Sequence, residues 1–448
     1  MTTGATAQSA ADRARYVRDH LPAGGLFAEA TWRIAPEPFP LSAALVEKLE
    51  ALGPQLLAFY RACNVMYRHS VKGTLPGWIA DYLDAGKPKE LVELSRSNRF
   101  KSAVPRVIRP DVILTNEHYF IAELDSVPGG IGLTGWLGKT YGELGDAVVG
   151  GPFGMMEGFD SVLRAEAGEE QPVAAVVVSD EAATYRPEMQ WLGQQIGFGV
   201  IRPEEMAEFL GKNAGRHPVV YRFLELFDLP NVPHARLLLD AAAGGRVGLT
   251  PPIKPQLEEK MLFAFLWMEP LQSFWREQLG DDTLRQLREI LPYTWIVDPA
   301  PLPPHAVIPE LGIHDWREMA RFSQKQRELV LKISGFDPHA WGSRGVYVGH
   351  DLPAKEWAEA IEQALAGFAQ HPYILQRFEK SKVMDARYFD FEAGEVRDFS
   401  ARARLCPYYF VVGDTAKLGG ILATVCPADK KLLHGMPDAV MAPCQAQR

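Results

Sequence analysis

Basic side chains are in deficit in this chain of 448 residues. Lys and Arg together number 47 against 56 Asp and Glu, giving a formal net charge of -9. A nucleic-acid-binding role is disfavoured, because neutralising phosphates requires a basic surface. No run of about 18 apolar residues occurs, so we predict no membrane span. Residues 1–20 are polar and lack the apolar core of a signal peptide, and we expect a cytoplasmic protein.

Cysteine is also scarce. None of the four cysteines forms a C-x-x-C pair or lies at zinc-finger spacing. Three are near the C-terminus, which leaves a disulfide or thiol role open, although reduced buried thiols are the favoured interpretation. The cysteines are Cys63, Cys406, Cys426 and Cys444.

The length allows two or three domains with sizeable cores. The stretch PVAAVVVS at 172–179 is typical of a strand buried on both faces, and the strand–helix alternation around it predicts a small parallel sheet. This region lacks a G-x-G-x-x-G motif, so a dinucleotide site there is unsupported. An apparently antiparallel sheet follows near the C-terminus. We predict a helical N-terminal portion, a hairpin with a glycine loop, a small α/β domain and a sheet-rich nucleotide-binding part, at 1–98, 99–168, 169–255 and 256–448.

Apolar spacing predicts several helices along the chain. The first is an amphipathic helix over 42–67 with a possible break at Gly53-Pro54. We expect 141–156 to be irregular, because it is rich in glycine. Further helices are predicted over 257–274, with a kink at Pro270, and over 316–325.

The most informative stretch is RPDVILTNEHYFIAELDSVPGGIGLTGWL, from Arg109 onward. Two β-rich runs flank a polar turn, which predicts a hairpin. Side chains two apart share a strand face, so Arg109 lies with Asp111 and Glu123 with Asp125. If the strands pair, three carboxylates and an arginine converge, a set that suits Mg²⁺ and a phosphate oxygen. The alternative is an exposed edge hairpin whose charges are solvated.

The segment after this hairpin is rich in glycine. Ser126, Gly129 and Gly130 could hold a carboxylate substrate beside the charged residues, or the loop could be a simple chain reversal.

A second stretch, VLKISGFDPHAWGSRGVYVG, has the chemistry of a nucleotide site. Lys332 on a strand can reach phosphate oxygens as a point charge. Gly342, Ser343 and Gly345 would let backbone N–H groups approach phosphates closely. The following YILQRFE strand could offer backbone groups to an adenine edge.

These motifs together resemble the circularly permuted branch of the ATP-grasp superfamily, and most closely the glutathionylspermidine synthase-like group. That group carries R-x-D, eleven residues and then E-x-N; here Asp125 stands in place of the asparagine. EKMLFAFLW resembles a second motif and places Lys260 at its lysine, and VLKISG places Lys332 at the nucleotide lysine. The resemblance covers roughly residues 100–430. The group's C-terminal pattern is not recognisable, and no amidase domain is present.

The resemblance implies an α+β structure: a circularly permuted ATP-grasp fold with a small parallel α/β pre-ATP-grasp domain and a helical N-terminal portion. It implies an ADP-forming carboxylate–amine ligase acting on a small molecule or peptide through an acyl phosphate, with ATP and Mg²⁺ as cofactors. Asp111, Glu123 and Asp125 would hold the metal, and Arg109 would stabilise the transferring phosphoryl group. The remaining roles would be phosphate binding by Lys260 and Lys332, a lid at Gly342–Gly345 and adenine contacts near Gln376 and Phe378.

Some residues and functions stay open at this point. Arg402 and Arg404 alternate on one strand and could grip a phosphate or a substrate carboxylate, or be solvated. His434 could transfer a proton or be structural. Arg222 and Glu225 are interpreted as an ion pair. A non-catalytic ATP-binding protein and a small-molecule kinase are the alternative functions, and the resemblance makes a homodimer plausible.

Overall fold

The computed structural model describes residues 8–22, 32–125, 127–340, 344–430 and 433–447. It is a mixed α/β structure. Its strands are β1 Phe39–Ser42, β2 Val107–Leu114, β3 Tyr119–Asp125, β4 Ala174–Val178, β5 Gly199–Ile201, β6 Val219–Phe223, β7 Gly248–Thr250, β8 Thr294–Ile296, β9 Leu329–Ile333, β10 Val346–Val348, β11 Tyr373–Arg377, β12 Met384–Asp390, β13 Glu395–Val412, β14 Thr415–Pro427 and β15 Val440–Gln447.

The helices surround these strands, and among those described none has the length and apolar composition that crossing a bilayer requires. They are α1 Ala10–Asp19, α2 Ala43–Val71, α3 Trp78–Asp84, α4 Lys89–Ser95, α5 Ile131–Glu143, α6 Gly154–Ala167, α7 Arg186–Ile196, α8 Met206–Lys212, α9 Ala235–Ala243, α10 Leu262–Trp267, α11 Gln272–Ile290 and α12 Ala354–Gly367.

The largest sheet of the described residues carries the predicted hairpin. Its strand order is β1-β15-β14-β13-β2-β3, and β12 also pairs with β13. Strands β2 and β3 are antiparallel, with Arg109 opposite Asp125 and Asp111 opposite Glu123. Strand β13 lies on the other side of β2 and places Arg404 opposite Ile113. The hairpin is confirmed, but it is paired on one side rather than isolated.

A second sheet, of order β10-β9-β11-β8, carries the strand lysine. All its pairs are antiparallel, and Lys332 in β9 is the register partner of Ile374 in β11. The sheet packs on α12, whose Trp357 is fully buried. Lys332 is therefore held on a rigid strand.

The third sheet, of order β5-β4-β6-β7, is parallel throughout, which confirms the prediction for this part of the chain. Strand β4 falls inside the predicted stretch 172–179, and four of its five residues are buried. Arg222 lies on β6 rather than on a helix. Its ion-pair partner is Glu258, so the predicted pair with Glu225 is wrong.

Several helix predictions are corrected. Helix α2 continues through Pro54 without the break expected at Gly53, where a Cβ would lie 2.6 Å from Tyr409 Cδ1. The stretch 141–156 is not wholly irregular, because α5 ends and α6 begins within it. The predicted helix 257–274 is divided into a 3₁₀ turn, α10, another 3₁₀ turn and the start of α11, and 316–321 is 3₁₀ rather than α.

Candidate functional site

Arg109 lies at the end of the paired hairpin opposite its turn. Its Nη2 atom is 3.2 Å from Asp111 Oδ1 and 2.9 Å from Asp125 Oδ2, and its Nη1 atom donates to Gly129 O at 3.2 Å. Only 14% of its side chain is exposed. One guanidinium thus holds two of the predicted metal ligands and the glycine segment together.

Arg404 reaches the same group from β13. Its Nη1 atom lies 3.0 Å from Asp111 Oδ2. Burial opposes ionisation of Asp111, but Arg404 and Arg109 prevail and hold the pKa of that carboxyl below its usual value. At Asp125, by contrast, burial outweighs Arg109 and raises the pKa, with Glu123 adding to the rise. The two carboxylates therefore have different protonation tendencies.

Glu123 faces the lysine that the second motif identified. Its Oε1 atom is 2.9 Å from Lys260 Nζ, which also donates to Ala340 O at 2.6 Å. Burial would lower the pKa of Lys260, but Glu123 raises it above its ordinary value. About a third of the Glu123 side chain is exposed, at 34%, so this carboxylate can still meet a ligand.

Lys332 joins the strand-lysine sheet to the hairpin. Its Nζ atom donates to Ala122 O at 3.0 Å and to Gln376 Oε1 at 2.7 Å. Burial lowers its pKa to about 8, against the opposing effect of Glu123. The side chain of Gln376 is buried and bonded to this lysine, and the adenine contact of main-chain groups near Gln376 stays a prediction. The sequence around Gln376 gave no signal for its contact with Lys332, which depends on strand register.

Ser334 connects the two lysine-bearing segments. Its carbonyl accepts from Lys260 N at 3.2 Å, and its Oγ accepts from Met261 N at 3.0 Å and donates to Glu259 Oε2 at 2.5 Å. Glu259 also forms a fully buried ion pair with Lys87. Neither Ser334 nor Glu259 was predicted from sequence, because a serine after a strand and a glutamate before a lysine are common.

The glycine segment after the hairpin is held from three sides. Gly129 O accepts from Tyr408 OH at 2.7 Å as well as from Arg109. Gly130, at φ +87°, precedes α5, and Glu188 accepts from its N–H at 2.7 Å and from Leu133 N at 2.8 Å. Burial raises the pKa of Glu188 to about 7 against these hydrogen bonds. The segment is therefore a fixed helix entry.

Two cavities open onto this group. The first, which we call the strand cavity, has a volume of ≈ 570 Å³ and lies between β9–β11 and the hairpin. Its wall includes Lys332, Gln376 and Phe378. The amide of Phe378 already donates to Glu328 O at 3.1 Å, and the ring lies against His350 with centroids 4.5 Å apart. The Phe378 N–H is thus already engaged within the protein.

The second, the glycine cavity, has a volume of ≈ 420 Å³ and is lined by Arg109, Asp125 and the Gly129-Gly130 segment. Both cavities share four lining residues: Asp111, Glu123, Val346 and Arg404. The carboxylate-bearing hairpin is thus the wall between two adjoining compartments.

The remaining predicted residues have separate positions. Arg402 lines the strand cavity but is bonded to Ala428 O and to Ser381 O and Oγ. His434 is exposed at the edge of the glycine cavity. Gly345 lies where a Cβ would be 2.7 Å from Ile333 Cγ2, so its small size is needed for packing. Ser126, Gly342 and Ser343 lie outside the described residues.

Unsatisfied donors mark where a ligand would fit. Arg109 Nε, Arg404 Nε and Thr424 Oγ1 are buried and have no hydrogen-bond partner within the described ranges. Leaving buried polar groups unpaired is costly, and an oxyanion between the arginines would satisfy them. No three Asp, Glu, His or Cys side chains of the described chain are grouped to hold a metal ion. The metal assignment of Asp111, Glu123 and Asp125 stays a prediction.

Comparison with known proteins extends the description of the fold. No protein-family model and no curated protein matches the chain. Among solved structures, a glutathione synthetase-like effector from Globodera pallida, in its apo form, matches at a TM-score of 0.57 and 12% identity over 98% of this chain and 96% of that one. A putative gamma-glutamylcysteine synthetase from Methylobacillus flagellatus matches at a TM-score of 0.40 and 12% identity, covering 88% and 87%. The mixed α/β fold is thus similar to that of the glutathione synthetase-like effector.

Proposed function

We propose that this protein is an ATP-dependent, ADP-forming ligase that joins a carboxylate to an amine through an acyl phosphate, on a circularly permuted ATP-grasp fold. The observation that supports it most is the pair of cavities meeting at Asp111, Glu123 and Arg404. A ligase of this kind must bring a nucleotide and an acid together at one point from two sides. The synthetase-like fold of the neighbour agrees with this class of reaction.

In this proposal the nucleotide occupies the strand cavity. Lys332, a buried cation in its lining, would contact phosphate oxygens, and Gln376 would fix Lys332; Lys260 lines neither cavity and would act by holding Glu123, 2.9 Å away. The orphaned Nε atoms of Arg109 and Arg404 point to oxyanion binding at the wall between the cavities. Arg404, which reaches both cavities, would stabilise negative charge as the phosphoryl group moves between them.

The carboxylates between the two cavities also suit a divalent cation. Mg²⁺ is usually held by one or two carboxylates together with substrate phosphates, so a preformed cluster of three is not required. Asp111 and Glu123 line the strand cavity and are the residues we assign to it; Asp125 lies behind them in the glycine cavity. When bound, Mg²⁺ supplies charge neutralisation at the phosphates.

The acid would occupy the glycine cavity. Arg109 is tied to Gly129 O and fixes that compartment's wall, and Glu181 and Glu225 line its other side. Arg109 and Arg404 would meet the carboxylate. The amine would lie beside Glu181, which pairs with Arg344 at 2.9 Å, and Glu225, whose pKa burial raises to about 8. The cavity's volume restricts both to small molecules or to the end of a peptide.

The test is ADP release with a panel of acids and amines, presented singly and in pairs. We expect release to rise sharply only when a matching acid and amine are both present. Asp111→Asn and Glu123→Gln should reduce it at least a hundredfold, whereas Glu117→Gln, exposed at the turn of the same hairpin, should not change it. Normal turnover by the first two variants would contradict the assignment.

One observation favours a second function. Every predicted metal ligand already faces a basic side chain, as expected for a protein that binds nucleotide without turning it over. Nucleotide binding with no ADP release under any pair of the panel would identify this non-catalytic alternative. A stable phosphorylated product without an amine would instead identify a kinase.

A further inference from the structure

A further cavity lies away from the candidate site. Its volume is ≈ 950 Å³, and it is enclosed by the second half of α2, residues 99–106 and the region of β7. We call it the basic cavity, because its lining includes Arg61, Arg68, His69, Lys72, Arg99, Lys101, Arg106 and His217. Among the described residues that line it, Glu166 alone is acidic. The local charge is thus opposite to the net charge of -9.

Part of this positive charge is not neutralised by the protein. Arg61 pairs with Asp414 at 2.8 Å and Arg106 with Glu166 at 2.7 Å. Within the described part of the chain, no carboxylate lies in ion-pair distance of Lys72, Arg99 or Lys101. Like charges gathered in a concave surface repel one another and attract anions.

The floor of the basic cavity has polar groups that a ligand could satisfy. Thr250 is 1% exposed, and its Oγ1 atom has no hydrogen-bond partner among the described residues. Beside it Asn64 is 4% exposed, donates to Lys101 O at 2.9 Å and accepts from Lys254 Nζ at 2.9 Å. Burial and Arg68 lower the pKa of Lys254 to about 8, as expected where positive charge lacks a counter-ion.

The basic cavity is separate from the strand and glycine cavities. Strand β13 passes both regions: Arg404 lies at the candidate site, and Val411 lines the basic cavity. Seven residues separate them, roughly 23 Å at about 3.3 Å per strand residue. Among the described residues, the basic cavity shares no lining residue with the strand cavity or the glycine cavity, although Arg106 in its lining is only three positions from Arg109.

We propose that the basic cavity binds a free small molecule that carries two or more phosphate groups. Guanidinium and ammonium groups from α2 and from residues 99–106 suit oxyanions several ångströms apart, and the buried Thr250 hydroxyl supplies one further polar contact. Phe100, Val104 and Leu249 add apolar surface for an organic body between the phosphates. The concave shape favours a soluble anion over the flat array of a lipid surface.

The probe is inorganic tripolyphosphate. Its binding to the full chain is measured by titration calorimetry and by hydrogen exchange. Exchange localises the binding, since protection should appear over 61–72 and 99–106. The variant Arg99→Gln/Lys101→Gln should weaken this site about tenfold or more. The control Lys48→Gln/Lys325→Gln removes the same charge from exposed positions elsewhere and should bind as the wild type does.

Protection at these segments that is lost in the Arg99→Gln/Lys101→Gln variant would support the site. Protection confined to the β9 region, or equal affinity in all three proteins, would overturn it. A second arm uses phosphatidylcholine vesicles with and without phosphatidylinositol bisphosphate. Sedimentation with the phosphorylated vesicles that requires Arg99 and Lys101, without tripolyphosphate binding, would assign the phosphate to a lipid and overturn the soluble ligand.

Discussion

Lys332 Nζ lies 2.7 Å from Gln376 Oε1, across the antiparallel strands β9 and β11. The amide of Gln376 in turn donates to Thr294 Oγ1 at 3.3 Å on β8. Three neighbouring strands thus contribute one side chain each to a buried chain of hydrogen bonds. This chain of hydrogen bonds fixes the position of the Lys332 ammonium group beside the strand cavity.

The variant Gln376→Leu tests this chain of hydrogen bonds. Lys332 would keep Ala122 O as its acceptor but lose its strongest restraint, and Thr294 would lose its donor. We expect the free energy of unfolding to fall by about 1–3 kcal/mol and ATP affinity to fall about tenfold. Urea unfolding and calorimetry measure these. Gln370→Leu, at an exposed position just after α12, is the control and should leave ATP affinity unchanged.

The lowered pKa of Lys332 predicts a pH dependence of nucleotide binding. Its pKa falls from 10.5 to about 8, so the ammonium charge is lost as the pH rises through 8. ATP affinity should decrease about tenfold between pH 7 and pH 9, because only about a tenth of the lysine stays protonated at the higher pH. In Lys332→Met this step should be absent, and an identical pH profile in both proteins would contradict the assignment.

The same shift has a consequence for stability. Between about pH 8 and pH 10.5 the unfolded chain binds a proton at Lys332 that the folded chain does not. The contribution of this residue to the free energy of unfolding therefore rises with pH across that window.

Gly130 and Gly145 form a matched pair for testing the glycine segment, since both have φ +87°. A Cβ at Gly130 would lie 2.6 Å from Tyr408 OH, whereas one at Gly145 would have no described atom within 4 Å. Gly145→Ala should cost about 1–2 kcal/mol from backbone strain alone. Gly130→Ala should cost more and reduce the proposed ligase activity, because Tyr408 must leave Gly129 O. Equal losses in thermal unfolding would show that the contact is unimportant.

The buried pair of Lys87 and Glu259 anchors the segment that carries Lys260. Each side chain is 1% exposed, so Lys87→Met would leave a buried carboxylate without its cation. We expect a loss of about 3–5 kcal/mol in urea unfolding. The double variant Lys87→Met/Glu259→Gln should recover most of it. Lys89→Met breaks an exposed pair with Glu93 and should change stability by less than about 1 kcal/mol.

The hairpin could be predicted because its signal is local. Alternation in 109–125 places the charged residues on defined faces, and the register of Arg109 with Asp125 agrees with it. The alternation of residues does not reveal which strand pairs with the other side of β2. Arg404 meets Asp111 only because β13 pairs with β2, nearly three hundred residues later in the chain.

Helix α5 was missed because its composition argues against a helix. Four glycines interrupt it, and each lowers intrinsic helix propensity. Packing outweighs that cost: a Cβ at Gly132 would lie 2.1 Å from Glu188 O, and one at Gly142 would lie 2.6 Å from Pro152 Cβ. Close approach of neighbouring chain segments selects glycine here, and one sequence does not reveal those neighbours.

Strand β15 was missed for a related reason. Its sequence VMAPCQAQ includes a proline and polar residues that weaken a strand pattern. It is nevertheless an inner strand, antiparallel to β14 and parallel to β1. Its pairing partners come from both ends of the chain, so only the tertiary fold defines it.

The contact of Lys260 with Glu123 joins the hairpin to the segment that follows β9. Lys260 is bonded through its backbone to Ser334 and through Nζ to Ala340 O, while Glu123 belongs to the hairpin. Separating Lys260 from Glu123 parts two opposite charges, and a third of the Glu123 side chain is exposed, so a ligand that carries its own charge can replace either partner. We therefore expect uncharged compounds of the right shape to bind more weakly than charged ones.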